Sequence, residues 1–338
     1  MQIHITKIYN IGGTAAQSQH MVAEIAKSVL NCTELGIHHY PVESDSSEML
    51  RARQDGILAA VKWYDVVIFQ SPSWNGVHFD RALMERLNVN RGVKKVFFIH
   101  DVVPLMFENN RYLLGKYIEL YNQADLLILP SQNMADFLYK EGLNVHQYVV
   151  QRMWDCPLSV NTSVIPRFNK LIQFAGQTDG FKFSFVQRWK YESVRLAVTA
   201  SEGDWEHGEN IEFLGWFQDQ NLLANTMRRN GGFGLLWTEH EYWKEYMTLN
   251  ACSKLSLYLA SGIPVIVHNS IPEADTIFQK NIGLVVDSLD EAVEKIEKMT
   301  KDQYDQMVQN VASFGRLLRG GFFTRKVLTD ALFQLLYN

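Results

Sequence analysis

The residue whose surroundings most plainly ask for chemistry is Lys254. It lies in Cys252-Ser-Lys254-Leu-Ser-Leu-Tyr-Leu-Ala-Ser-Gly262-Ile-Pro264-Val-Ile-Val. The apolar spacing predicts a helix over 247–261, ended by Gly262 as a left-handed C′ residue, with a buried strand opening at Pro264. Lys254 falls in the first half of that helix, where a cation opposes the positive end of the macrodipole. A bound phosphate would offset that cost, with Ser253 beside it; a lysine that points to water is the ordinary alternative. Lys182, in Phe181-Lys182-Phe183-Ser184-Phe185, follows a strand ending at Ala175-Gly176. It stands either where a diphosphate would lie or on an ordinary loop. Trp237-Thr238-Glu239-His240-Glu241 closes another strand. Consecutive positions do not give the i, i+4 geometry of a helical zinc motif. The cluster therefore reads as a polar turn, with Thr238 or Glu239 reaching ligand hydroxyls.

The first half offers a second set. Tyr9-Asn10-Ile11-Gly12-Gly13-Thr14 separates a strand from a helix. Its glycines permit backbone that exposes amides, and a helix N-terminus favours anions. Gly13 and Thr14 are thus ligand candidates, or the loop is a tight turn with Thr14 as N-cap. His100-Asp101 ends a wholly apolar strand, where acid–base groups would face a crevice. His suits proton transfer near neutral pH; Asp101 can orient it or take a proton itself. Ser71-Pro-Ser-Trp74-Asn75 ends the preceding strand as a turn-rich loop, and Trp74 and Asn75 could shape an acceptor pocket.

These residues need a scaffold of strand ends. Val66-Val-Ile-Phe69, Val96-Phe-Phe-Ile99 and Leu126-Leu-Ile-Leu129 are nearly continuous apolar runs, the mark of parallel strands buried on both faces. Amphipathic segments separate them at 15–30, 48–62, 78–88, 111–122 and 132–141. The stretch from Trp154 to Lys170, with Pro157 and Pro166, breaks the rhythm and reads as a linker. A second alternation follows, with strands expected near 171–174, 194–198, 211–214, 233–237, 263–267 and 283–286. Its helices are expected near 218–229, 289–298 and 302–313, with a last one near 322–336. The expected class is α/β, with two Rossmann-like, doubly wound domains. Their bounds are residues 1–156, joined by a final helix at 319–338, and residues 157–318.

Bulk properties narrow the function. The 338 residues are 47% hydrophobic and 20% charged, enough for two cores. A formal net charge of -5 provides no basic field for nucleic acid. Three scattered cysteines form no CxxC pair and suit a reducing cytoplasm. No run approaches the roughly 20 apolar residues of a membrane span, and no signal peptide is visible. The absence of any Asp-x-Asp triplet points to phosphate neutralisation by lysines and helix N-termini rather than by a metal; no nucleophile elbow, kinase loop set or Walker motif is present either.

With these residues in view, the chain resembles GT-B glucosyltransferases that extend GlcNAc on serine-rich-repeat adhesins of streptococci and lactobacilli. The similarity is carried by Lys254-Leu-x-x-Tyr258-Leu-Ala-x-Gly262-x-Pro264, by the segments 66–75, 98–107 and 149–155, and by Phe183-Ser-Phe-Val186. It extends through Trp189-Lys-Tyr191, Gly231-Gly-Phe-Gly-Leu-Leu-Trp237 and Leu318-Arg-Gly-Gly-Phe-Phe-Thr-Arg325. The resemblance implies a GT-B fold with the final helix crossing back to the first domain. It implies UDP-glucose (or UDP-GlcNAc) as donor, held mainly by the second domain, and no metal or further cofactor. It also implies a GlcNAc-modified serine-rich-repeat protein as acceptor, and a dimer or tetramer in the bacterial cytoplasm. Lys254 matches the diphosphate-binding lysine. Lys182 stands where the family has a basic donor-binding residue, typically Arg. Phe213 stands where the family can place a Tyr near the nucleotide. Two departures are plain: a carboxylate common before Tyr-Leu-Ala is here Leu257, and the loop at Thr14-Ala15-Ala16 is poorer in hydroxyls.

Overall fold

The computed structural model describes residues 1–176, 183–203 and 206–337. Contacts divide the chain into two compact units, Met1–Gln151 with Phe323–Asn338, and Arg152–Phe322. Trp154 and Cys156, assigned to the first domain by the sequence reading, belong with the second unit. The Trp154 indole donates to Ala251 O at 2.8 Å, and the Cys156 amide donates to Leu318 O at 3.0 Å.

The first unit alternates β1 (Ile3–Tyr9), α1 (Gly13–Leu30), β2 (Thr33–His38), α2 (Ser47–Ile57), β3 (Val66–Ser71) and α3 (Val77–Leu87). It continues through β4 (Lys94–Ile99), α4 (Val103–Met106), α5 (Leu114–Tyr121), β5 (Leu126–Leu129), α6 (Gln132–Lys140) and β6 (Tyr148–Val150). Among the described residues these strands form one six-stranded sheet, ordered β2-β1-β3-β4-β5-β6, with every pair parallel. β3 and β5 are buried at every position, which is why their sequences do not alternate.

The second unit contains β7 (Leu171–Phe174), α7 (Ser184–Gln187), β8 (Arg195–Val198), β9 (Ile211–Phe213), α8 (Gln220–Asn230) and β10 (Phe233–Leu236). Then come α9 (Glu241–Met247), α10 (Ser253–Ser261), β11 (Val265–His268), α11 (Ala274–Gln279), β12 (Gly283–Val286), α12 (Leu289–Lys298) and α13 (Lys301–Arg319). Its sheet runs β12-β11-β10-β7-β8-β9, again all parallel. α13 starts on a capping box between Thr300 and Gln303 and runs six residues beyond its expected end at 313. The last helix, α14 (Phe322–Tyr337), packs with the first unit. Thr324 there meets Gln151 at 3.4 Å and the Met21 sulfur at 4.0 Å.

The helix expected over 247–261 starts late: Met247 is instead the last residue of α9, and residues 248–252 are not helical. Asn250 Oδ1 takes the Ala251 amide at 2.9 Å while Trp154 takes the Ala251 carbonyl, so both backbone groups leave the helical ladder. α10 consequently begins at Ser253, and Lys254 is its second residue.

Candidate active site

Each sheet has one point where the strand order reverses: between β1 and β3 in the first unit, between β7 and β10 in the second. Ligands of doubly wound sheets bind beyond the carboxyl ends at such points. Most of the candidate residues lie there.

In the second unit, Tyr258 of α10 builds the floor. Its hydroxyl accepts from the Ala175 amide at 2.8 Å and donates to Leu235 O at 3.0 Å. One fully buried phenol thus fastens the helix to the ends of both switch-point strands. Its ring lies on Gly234, where an added Cβ would fall 2.2 Å from Tyr258 Cγ. The first turn of α10 contains no acidic residue, so its positive end is not neutralised from within. Lys254 adds a full charge there. Its Nζ lies 4.6 Å from the Phe183 ring centre and 5.2 Å from that of Phe174, a cation–π seat. A Cβ on Gly176 would fall 3.2 Å from this nitrogen and 2.8 Å from Phe174 Cζ. The ammonium is therefore held beside bare backbone just past β7. Ser253 is next to it at the head of the helix.

Thr238 and Glu239 follow β10 at the same point. Thr238 is buried, and its hydroxyl accepts from the His240 amide at 3.3 Å. Glu239 pairs with Arg188 and accepts from Ser184 Oγ at 3.3 Å, fastening α7 to the end of β10. Phe213 ends β9 at the sheet's outer edge, two strands from β7 or roughly 10 Å away. Its ring lies edge-on to His207 at 5.0 Å and packs on the unit's core. Lys182 lies outside the described residues.

In the first unit, a buried polar network underlies the switch point. Gln70 of β3 donates to Thr6 O at 2.5 Å and Gln19 O at 3.0 Å. Carbonyls only accept, so the Gln70 oxygen must face His100 Nε2, at 2.8 Å. Nε2 then carries the proton, and the ring is the neutral Nε2–H tautomer. Burial pushes the His100 pKa down to about 3. His100, expected to do acid–base work near neutral pH, stands here as a buried donor within this network. Asp101, half-buried, follows it beyond β4.

The loop after β3 is pinned throughout. Ser73 Oγ donates to Asp80, a fully buried carboxyl of α3. The Asn75 amide donates to Ser73 Oγ at 3.2 Å, and Gln19 holds Pro72 O at 2.8 Å. Asn75, expected to meet an acceptor, is instead buried, with its side chain spent on His38 O at 2.9 Å and the Tyr40 amide at 3.2 Å. It ties the ends of β2 and β3 together. Trp74 stands between these anchors at φ +63°, a conformation an aromatic residue adopts only when its neighbours enforce it. Thr14 is not the cap of α1: Gly12 is, and no side chain bonds there. At Gly12 and Gly13 an added Cβ would meet nothing within 4 Å, so this turn presents open backbone.

Three contributors escaped the sequence reading. Gln70 was signalled as the polar residue in an otherwise apolar strand. Asp80 was signalled as a carboxyl on the apolar stripe of α3 with Leu83, Met84 and Leu87. Phe174 gave no signal apart from its strand.

Two doubly wound parallel α/β units are the architecture of GT-B glycosyltransferases. The same fold is seen in Anabaena HepE in complex with UDP, at a TM-score of 0.67 and 13% identity over 98% of this chain and 99% of that one. Residues 2–153 match the Glucosyltransferase 3-like N-terminal domain and residues 172–331 its C-terminal domain, and the chain belongs to this family. It is 40% identical to Glucosyltransferase 3 of Streptococcus gordonii over 99% of this chain and 100% of that protein. Against Glucosyltransferase 3 of Streptococcus parasanguinis the identity is 41%, over 99% of each.

Proposed function

We propose that the chain transfers glucose from UDP-glucose onto GlcNAc already linked to Ser or Thr of a serine-rich-repeat adhesin. It would act as a homo-oligomer in the bacterial cytoplasm. The observation that carries the donor half is Lys254 in the first turn of α10, its ammonium held beside the bare backbone at Gly176. Helix terminus and lysine together favour a diphosphate and, more strongly, the charge that develops as UDP departs. Lys182 is proposed as a second cation on the diphosphate. Ser253, Thr238 and Glu239 are proposed to face the donor, Glu239 while holding Arg188. Phe213 lies within reach of the far end of an extended nucleotide and would pack against it. The names of the full-length relatives support glucose as the sugar moved.

Gly13 and Thr14 are proposed to face the donor; for the acceptor half, Trp74 forms the proposed rim, with Asn75 acting through the loop it anchors. Asp101 is proposed to take a proton if the transfer inverts configuration; His100 is proposed to support it from the same strand end. No metal is assigned a step. The test is mass-spectrometric: purified protein, a GlcNAc-modified Ser/Thr-rich peptide, and UDP-glucose, UDP-GlcNAc or UDP-galactose supplied separately. A gain of one hexose with UDP-glucose alone is expected. A HexNAc gain would reassign the donor, and no gain from any donor would overturn the reading.

A further inference from the structure

The open edge of the first sheet is a groove with the dimensions and lining of a peptide channel. Among the described residues β2 is an edge strand, paired on one side only, with β1. The His39 amide donates to Tyr9 O at 2.9 Å, so alternate residues of this stretch bond to β1. In a parallel pair the residues between them turn both N–H and C=O the other way. The backbone groups of Glu34 and Gly36 therefore point off the edge, while the carbonyl of His38 is taken by Asn75.

Beside this edge lies a cleft of about 720 Å³, walled by α2 and the turn after it. Gly36, Gly56, Ala59 and Ala60 are exposed along it, and Ile57 is half-buried. Small residues on both walls leave room for a backbone with short side chains. The formal charges are met within the unit: Glu34 by Lys7 at 3.4 Å and Lys27 at 2.5 Å, and Arg53 by Asp45 at 2.8 Å. A neutral occupant fits such walls better than an acidic or basic one. The cleft also reaches Asn10 and Tyr40. Asn10 donates to His39 O at 2.9 Å, and Tyr40 donates to Asn75, so one end of the groove abuts the pinned loop bearing Trp74.

We propose that this groove binds the polypeptide of the acceptor: an extended, uncharged Ser/Thr-rich segment adds to β2 as an extra strand, flanking the modified residue. Main-chain hydrogen bonds to Glu34 and Gly36 supply the affinity, and the small-residue walls select short side chains. The inference rests on the acceptor reading above, and its test is independent of catalysis.

The probe is a fluorescein-labelled Ser/Thr/Ala peptide without charged residues or sugar, titrated by fluorescence anisotropy against the full chain. Gly56→Trp and Ala60→Trp each place an indole in the groove at exposed positions; at Gly56 an added Cβ meets nothing within 4 Å. Each variant is expected to weaken binding about tenfold or more, while UDP binding stays at the parent level. A peptide with proline at alternate positions, which lacks the required N–H groups, is expected to bind no variant and not the parent. Absence of binding by the parent, parent-like binding in both variants, or equal binding of the proline peptide would each overturn the proposal. A change of oligomeric state in both variants with peptide binding intact would assign the edge to a second copy of the chain instead. Transfer to a GlcNAc monosaccharide by the same proteins reads the proposed activity separately: its loss in the parent condemns the activity, not the groove.

Discussion

Lys254 draws its proposed role from position rather than from charge alone. A lysine at the second residue of a helix repels the macrodipole, and the faces of Phe174 and Phe183 beside it offset part of this. A bound diphosphate would offset it further. Lys254→Ala should therefore lower kcat/KM by roughly 10² to 10³ while leaving the thermal midpoint at or above that of the parent. Steady-state kinetics with UDP-glucose, paired with a melting curve, checks both halves. Two other buried groups set a pH signature. Burial pushes the Asp80 carboxyl up to about 7, whereas an unfolded Asp titrates near 3.9. The stability linked to it is full below about pH 4 and lost as pH rises through about 7. His100, pushed down to about 3, works the other way: its contribution is present above about 6.5 and lost as pH falls through about 3. Between about pH 4 and 6.5 the two slopes oppose each other. Asp80→Asn removes one of them. That variant should lose stability relative to the parent by about 1.4 kcal/mol per pH unit on acidification across this window, read from urea midpoints at several pH values. A parallel pH dependence in parent and variant would show that Asp80 does not hold its proton in the fold.

At the scale of elements, α10 decides where the lysine lies, and Tyr258 decides where α10 lies. Tyr258→Phe strands the Ala175 amide and the Leu235 carbonyl at a buried site, a loss of about 1–3 kcal/mol. Gly234→Ala drives a methyl into the Tyr258 ring and should cost about 1–3 kcal/mol. Both should also lower turnover, because the helix end shifts with the ring; activity measured well below the melting temperature separates that effect from unfolding. The sequence was informative about such elements where burial is complete. β3, β5 and β10 read as strands because both their faces are covered. It was less informative where one distant contact sets a boundary. The apolar period runs through 247–261, yet Trp154, nearly a hundred residues away, takes the Ala251 carbonyl, and α10 starts only at Ser253. The tautomer of His100 was hidden for the same reason. It follows from Thr6, Gln19 and Gln70 acting together, and no local pattern assembles residues so far apart. Thr14 failed as a cap for a more local reason, since glycine at position 12 already adopts the capping backbone.

Taken as a whole molecule, the chain carries two sheets of the same size and different strand order. The first reverses after one strand to its side, the second after two, and no composition or periodicity distinguishes them. What could be read was the alternation, the break between Trp154 and Lys170, and a last helix belonging to the first unit. Among the described residues no helix is long and apolar enough to cross a membrane. The last helix contributes Val327, Leu328, Ala331 and Leu332 to buried positions. Removing residues 323–338 should uncover that face and lower the melting temperature of the first unit, while residues 152–322 keep their own transition. Differential scanning calorimetry of the truncated chain would show one transition lost or shifted down and one retained.

That last helix also imposes a schedule on synthesis. The bond between Gln151 and Thr324 spans 173 residues, and all of the second unit lies between them. At roughly 5–20 residues per second, the ribosome needs on the order of ten to thirty seconds to pass from one to the other. The unit made first is thus the one completed last: it waits, with the seat of α14 uncovered, while its successor has everything needed to fold. A chain built this way keeps an open apolar seam until α14 follows the whole of the second unit out of the ribosome.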